Sequence, residues 1–224
     1  RNAGLAVARG RWIGFLDDDD RLLPQMAEAS LAAIAASDLL APVAALSGVE
    51  VVDGQGRTLE RRFPPSFQRG RCFSLEPLPE GKSYVTKNTL VVERRLLVDI
   101  GGFDADLAAC EWVDLLLRLN PVCSIIGIPS VTYRLSRAPG IHFSRDIGKR
   151  RRGFLQLQEK HRELLSSHRD GYADALLGEA RMSFAGGAVA RAIPSLASAM
   201  RLAPLHTLQV IANPGRVLGA RSSD

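Results

Sequence analysis

The chain has no apolar run that approaches the roughly 18 residues a membrane-spanning helix requires, so no such helix is predicted. Its cysteines are few. Cys72, Cys110 and Cys123 are odd in number and contain no CxxC pair, which argues against a disulfide framework and against a zinc site of ordinary spacing. A reducing compartment, and with it a cytoplasmic location, is the expectation. The opening Arg1-Asn2-Ala3-Gly4 carries no Met, no apolar signal core and no Arg/Ser-rich transit pattern, and predicts a chain entered in mid-domain. Disorder is equally unexpected, because 46% of the residues are hydrophobic and 24% charged, ordinary values for a globular protein. A chain of 224 residues amounts to about one to one and a half domains and is long enough to bury a core.

The net charge of +5 is unevenly placed. Residues 1–144 hold 16 Lys and Arg against 17 Asp and Glu, whereas residues 145–224 hold 13 against 7, so the basic character belongs to the C-terminal part. Its densest point is Lys149-Arg150-Arg151-Arg152. No aromatic residues interleave that run and no nucleic-acid motif accompanies it, so nucleic acid is not an expected partner. A solvated helix face is the favoured reading, and peripheral contact with an anionic membrane surface is the alternative.

Trp12-Ile-Gly-Phe-Leu16 is a short apolar run stopped by four aspartates, Asp17 to Asp20. This is the pattern of a buried strand emptying into a loop, and the C-terminal ends of strands are where α/β sheets bind ligands. Leu5 and Ala8 before it, and Met26, Leu31 and Ile34 behind Pro24 after it, have helical spacing. Val49 to Val52, the turn Asp53-Gly54-Gln55-Gly56 and a polar strand ending at Phe63 read as a hairpin. No period holds from Phe67 to Lys87, which predicts a surface loop. A strand is expected over Val85 to Val92, a helix over Arg94 to Ile100 stopped by Gly101-Gly102, and a buried helix over Glu111 to Leu119. Two short strands, Cys123 to Ile128 and Val131 to Leu135, should follow. Beyond Asp146 the pattern is helical over Phe154 to Leu165, Tyr172 to Ala185 and Val189 to Leu202, with Pro204 as a stop. The last two helices form an αα-hairpin in which Tyr172, Leu176, Ala180 and Phe184 face Ala192, Leu196 and Met200.

Four adjacent carboxylates repel one another, and a chain tolerates them where a cation or a set of donors neutralises them. Hard oxygen ligands of this kind suit Mg²⁺ or Mn²⁺, which keep some waters and bridge substrate phosphates. The competing reading is a solvated acidic loop ahead of the Pro24 helix.

The stretch Arg1-Asn-Ala-Gly-Leu-Ala-Val-Ala-Arg9-Gly-Arg-Trp-Ile-Gly-Phe-Leu-Asp17-Asp18-Asp19-Asp20 resembles the middle of family 2 glycosyltransferases, whose GT-A fold carries a "RN.G...ARG..I.FLD.DD" segment. A second stretch, Gly101-Gly102-Phe103-Asp104 through Cys110-Glu111-Trp112-Val113-Asp114 to Arg118-Leu119, is similar to the family's "GGFDE.L..C.D.DLWLRL" acceptor-side segment. A weaker likeness is Tyr133-Arg134-Leu135-Ser136, where many relatives read "YR.H". The resemblance covers roughly residues 1–146. It implies a partial GT-A domain over 1–146, a mixed sheet lacking its opening strands, and an α-helical C-terminal region over 147–224. Signatures that hold the nucleobase in relatives, "P.YN" and "DDGS", do not occur in the sequence, so an N-terminally truncated domain is the expectation.

The same resemblance implies the chemistry. It points to sugar transfer from a nucleotide-sugar donor to a glycan or lipid-linked acceptor hydroxyl, inverting, with Mg²⁺ or Mn²⁺, in bacterial cell-surface polysaccharide synthesis. Asp17 and Asp19 would ligate the metal, with His142 a further candidate because Ser136 replaces the frequent His. Asp17, Asp18 and Arg9 would face the donor nucleotide. The position of the usual catalytic Asp holds Trp112, which cannot take a proton, so the base passes to Glu111, with Asp114 on the same helix face. Trp112, Asn88 and Arg118 are acceptor-side candidates, Trp112 through stacking on a sugar ring. The alternative is a weakened or inactive homologue that binds nucleotide or sugar or acts as a scaffold.

Overall fold

In the computed structural model, which describes residues 1–137 and 146–212, the chain runs through α1 (Asn2–Val7), β1 (Trp12–Ile13), β2 (Arg21–Leu22), α2 (Met26–Ala35), β3 (Val43–Asp53) and β4 (Thr58–Arg62). A single 3-10 turn (Lys87–Thr89) then leads to β5 (Val92–Glu93), α3 (Arg94–Asp99), α4 (Glu111–Leu119) and β6 (Ser124–Arg137). Helices α5 (Ile147–Lys160), α6 (Arg162–Ser167), α7 (Arg169–Ala185), α8 (Val189–Leu202) and α9 (Pro204–Ala212) follow. Two compact units result: Arg1–Phe73, Leu78–Asp104 and Trp112–Gly140 form one, and Ser74–Pro77, Ala105–Glu111 and Ile141–Asp224 the other.

The first unit is a mixed sheet in the order β2-β6-β3-β4, with β3 and β6 parallel and the outer pairs antiparallel, plus the small antiparallel pair β1-β5. β3 is buried from Val43 to Val52 because strands flank both its edges and side chains cover both its faces. Alternate positions go to opposite sides. Ala44 and Leu46 join a core with Leu90, Leu115, Leu116, Leu119 and Ile125, whereas Val49 and Val51 pack with Tyr133, Leu22 and Leu135. The Asp53-Gly54-Gln55-Gly56 turn lies between β3 and β4 as the sequence suggests, closed by Asp53 accepting from the Gln55 and Arg57 amides, both at 2.9 Å.

The two expected strands at 123–128 and 131–135 are one strand, β6. Pro129-Ser130 does not break it; extra residues are absorbed as bulges instead. From Leu46 to Val49 β3 advances three residues while its partner advances six, from Gly127 to Tyr133. An odd excess reverses which face a strand's side chains take, and so Tyr133 lies on the opposite face from Ile125. The expected strand at 12–16 contracts to Trp12–Ile13 and that at 85–92 to Val92–Glu93. Upstream of β5 the chain is taken up by the 3-10 turn, which Thr89 pins to β3. The Ser47 amide donates to Thr89 Oγ1 at 2.9 Å, and Thr89 Oγ1 lies 3.1 Å from Ser47 O.

The second unit is helical. Ala173, Leu176 and Leu177 of α7, Ala199 of α8, Ala203 and Val210 of α9 form its core. The α7–α8 hairpin is present as expected, but Phe184 is exposed rather than in the seam. The helix expected over 154–165 begins earlier, at Ile147, where Asp146 caps it by accepting from the Lys149 amide at 2.8 Å, and it is broken at His161. Pro204 does end α8, yet it also opens α9, since proline is well suited to the first helical position. Two loop segments that the 146/147 boundary assigned to the first unit belong to this one. Gln156 of α5 accepts from the Ala108 amide and donates to Asp106 O, both at 2.9 Å. A Cβ on Gly171 of α7 would lie 2.1 Å from Leu75 O, a backbone approach that only glycine permits.

Among the described residues no helix is long and apolar enough to cross a membrane. All three cysteines are free, and burial pushes the Cys123 thiol up to about 12, which keeps it protonated and unreactive.

Candidate functional site: the acidic loop and its aromatic neighbour

The acidic loop joins β1 to β2 and is fixed at both ends, leaving its middle in water. Asp20 turns back: its amide donates to Asp17 O at 3.2 Å, one carboxylate oxygen accepts from the Tyr133 hydroxyl at 2.7 Å and the other from the Ser136 amide at 2.9 Å. Partial burial is the main reason its carboxyl titrates above the ordinary range; the two hydrogen bonds oppose this, and the neighbouring Asp19 and Asp17 charges add to it. Burial, followed by Asp20, likewise pushes the Tyr133 hydroxyl up, so it stays protonated and donates. Position 136 therefore serves the loop through its backbone.

Asp17 is held from the opposite side by Arg1 at 3.0 Å. The Arg1 guanidinium carbon lies 5.3 Å from the Trp112 ring centroid and 5.5 Å from that of Phe103, within cation–π range. Phe15, Phe103 and Trp112 meet edge to face with centroids 4.9 to 5.3 Å apart, the arrangement that the ring quadrupoles favour. Trp112 is thus half-buried in an aromatic group whose cationic neighbour neutralises Asp17. Asp18 and Asp19 are exposed, as is Arg9 beyond α1.

Asn2 locks the glycine turn to this group. Its Nδ2 donates to Phe103 O at 2.7 Å and the Phe103 amide donates to its Oδ1 at 3.0 Å. Gly102 has φ +66°, and a Cβ there would lie 2.9 Å from Asn2 Oδ1. Arg118 holds the same turn from below, donating to Ile100 O at 2.5 Å, to Gly102 O at 2.7 Å and to Asp114 Oδ2 at 2.6 Å. Asp114 is fully buried beneath it. The structure therefore directs Arg118 inward rather than toward an acceptor, and seals Asp114 away from any substrate proton. Glu111 is the first residue of α4. Asn88 lies in the 3-10 turn.

His142 lies outside the described residues. Among those described, no three His, Cys, Asp or Glu side chains converge as a metal cage. The donor chemistry of Asp17 and Asp19 fits a cation of the Mg²⁺ type, which is bound through one or two carboxylates together with water and substrate phosphates rather than by an all-protein cage. The basic run at 149–152 does not form a single outward patch. Arg151 turns in to Glu179 of α7 at 3.0 Å, which is buried and also accepts from Ser183 and Ser195, while Arg150 and Arg152 are exposed. Sequence reasoning passed over Arg1, Asn2, Asp20 and Tyr133. A tyrosine in a core strand, whose hydroxyl needs a partner when buried, and an arginine upstream of an acidic run were the available signals.

Ligands of open α/β sheets bind in loops beyond strand ends, and the Asp17 to Asp20 loop follows β1. Residues 1–83 match Glycosyl transferase family 2. The mixed sheet followed by helices is consistent with its GT-A-like fold. The chain is also 31% identical over 149 residues to the O-antigen biosynthesis protein RfbC of Myxococcus xanthus, an alignment that covers 66% of this chain and 11% of the relative. The chain thus matches about a tenth of that protein's length.

Proposed function

We propose that the chain is part of a glycosyltransferase that moves a sugar from a nucleotide-sugar donor to the hydroxyl of a glycan or lipid-linked acceptor in surface polysaccharide assembly. The observation that carries this reading is the acidic loop: tied at Asp17 and Asp20, with Asp18 and Asp19 presented to solvent, in a segment that matches the family. The O-antigen role in the name of the relative supports the choice of acceptor class.

In this reading Asp17 and Asp19 would hold Mg²⁺ or Mn²⁺, and Asp18 and Arg9 would face the nucleotide. The bound metal would supply charge stabilisation to a departing diphosphate. Glu111 takes the proton of the acceptor hydroxyl as its oxygen attacks the anomeric carbon, and the bond from that carbon to the diphosphate oxygen breaks with inversion. Trp112 and Asn88 line the acceptor side, while Asp114 and Arg118 position the Gly101-Gly102 turn. The reaction belongs on the cytoplasmic side of the membrane, with Arg150 and Arg152 as the contact to anionic lipid.

The test is nucleotide release and sugar transfer from a panel of nucleotide sugars with Mn²⁺, against EDTA and Asp19→Ala. Both controls should abolish turnover, and Glu111→Gln should lower kcat by about 10²–10⁴-fold. Trp112, packed beneath Arg1 where relatives carry the base, favours a second reading as a nucleotide- or sugar-binding module. Metal-dependent binding without turnover on any donor, with activity gained in Trp112→Asp, would select it.

A further inference from the structure

The Tyr133 hydroxyl joins both ends of the acidic loop to β6. It accepts from the Asp17 amide at 3.3 Å and donates to Asp20 Oδ2 at 2.7 Å. Both ends of the acidic loop therefore meet at one atom. The ring beneath it is fully buried between Val49 and Val51 of β3 and Leu22 of β2, and Leu22 is its direct cross-strand partner. The hydroxyl consequently has a fixed position set by the sheet. A loop with two exposed aspartates and adjacent like charges would otherwise spread apart.

The geometry points to Tyr133 as the positioning residue of the acidic loop: its hydroxyl sets the spacing of Asp17 and Asp20, and so of the carboxylates between them. This rests on the reading of the loop as the donor side of a transferase. Tyr133 touches no reacting atom in that reading. It acts through Asp17 and Asp20, which it holds from β6.

Tyr133→Phe removes the one oxygen and keeps the buried ring. Amide hydrogen exchange in the metal-free full chain, followed by binding of Mn²⁺ alone, reads the effect. Exchange at Asp17 should quicken by on the order of tenfold, the scale of one lost hydrogen bond. The amide of Ile125, which donates to Phe67 O at the far end of β6, should keep its protection. Mn²⁺ affinity should weaken by a comparable factor. Unchanged exchange at Asp17, or loss spread equally to Ile125, overturns the proposal. If the variant does not fold, Asp20→Ala, which unties the loop from the Tyr133 hydroxyl and leaves the ring in place, substitutes for it, and unchanged exchange at the amide of residue 20, which closes the loop on Asp17 O, is then the overturning result. A parent chain that binds no Mn²⁺ refutes the donor-side reading of the loop, while the exchange comparison still decides the role of Tyr133.

Discussion

Arg118→Met removes a guanidinium that serves three acceptors and keeps much of the volume of its stem. Asp114, with a side chain of 0% exposure, then loses its charged partner, and the carbonyls of Ile100 and Gly102 lose donors at 2.5 and 2.7 Å. Removing one member of a buried ion pair costs about 3–5 kcal/mol. Arg118 is itself 21% exposed, so water reaches the open side and the lower end, about 3 kcal/mol, is expected. That is a large share of a total near 5–15 kcal/mol. At roughly 2–4 °C per kcal/mol for a chain of this size, the unfolding midpoint should fall by about 6–12 °C. Urea unfolding gives the free energy, and near-ultraviolet circular dichroism of Trp112 reports whether the Gly102-Phe103 turn has moved. Adding Asp114→Asn to Arg118→Met removes the buried charge and should recover a substantial part of the loss, so that the cycle shows coupling. A single variant within about 0.5 kcal/mol of the parent, or a double variant no more stable than the single, would refute the reasoning.

Gly102→Ala forces a Cβ to 2.9 Å from Asn2 Oδ1 at a φ of +66°; a loss of about 1–3 kcal/mol in urea unfolding is expected, and a neutral result would mean that the turn relaxes freely. Glu179→Ala leaves Arg151 and two serine hydroxyls without their common acceptor and should destabilise the helical unit by about 3 kcal/mol, measured as the shift in its unfolding midpoint. Arg61 first and Arg134 second hold the Glu50 carboxyl below its ordinary 4.5. Its stabilising contribution is therefore complete above pH 4.5 and is lost as pH falls through the lowered folded value. Glu50→Gln should flatten the acid limb of the stability curve, and an unchanged slope would contradict that pairing. Asp20 has the opposite sign: with its folded value raised above 3.8, its contribution is fullest below 3.8 and lost as pH rises through the raised value. Asp20→Asn should remove that loss.

Much of the architecture was legible because local signals agreed with the final packing. The hairpin from β3 to β4 follows from its glycine turn, α4 from its apolar run, the α7–α8 hairpin from its 3.6-residue period. Boundaries failed where a distant contact decided them. β5 shrank because Thr89 bonds to Ser47, 42 residues away in sequence, and the second unit took in residues 74–77 and 105–111 because α7 approaches the backbone of the first closely at Gly171 and α5 hydrogen-bonds that of the second.

The site divides in the same way. Residue type and order alone identified four carboxylates after an apolar run and a double glycine before an aromatic; these are properties of contiguous residues and survive any packing, and the family resemblance added that Trp112 stands where its pattern has an acid. Asp20 is bound by partners more than a hundred positions away, Tyr133 and Ser136, and Asn2 holds the equally distant Phe103, whereas Arg1, which holds Asp17, is near it in sequence. Tyr133 reaches the loop only because an odd number of bulged residues turns β6 over between Gly127 and Tyr133. That reversal belongs to the pairing of two strands and is written in neither strand by itself.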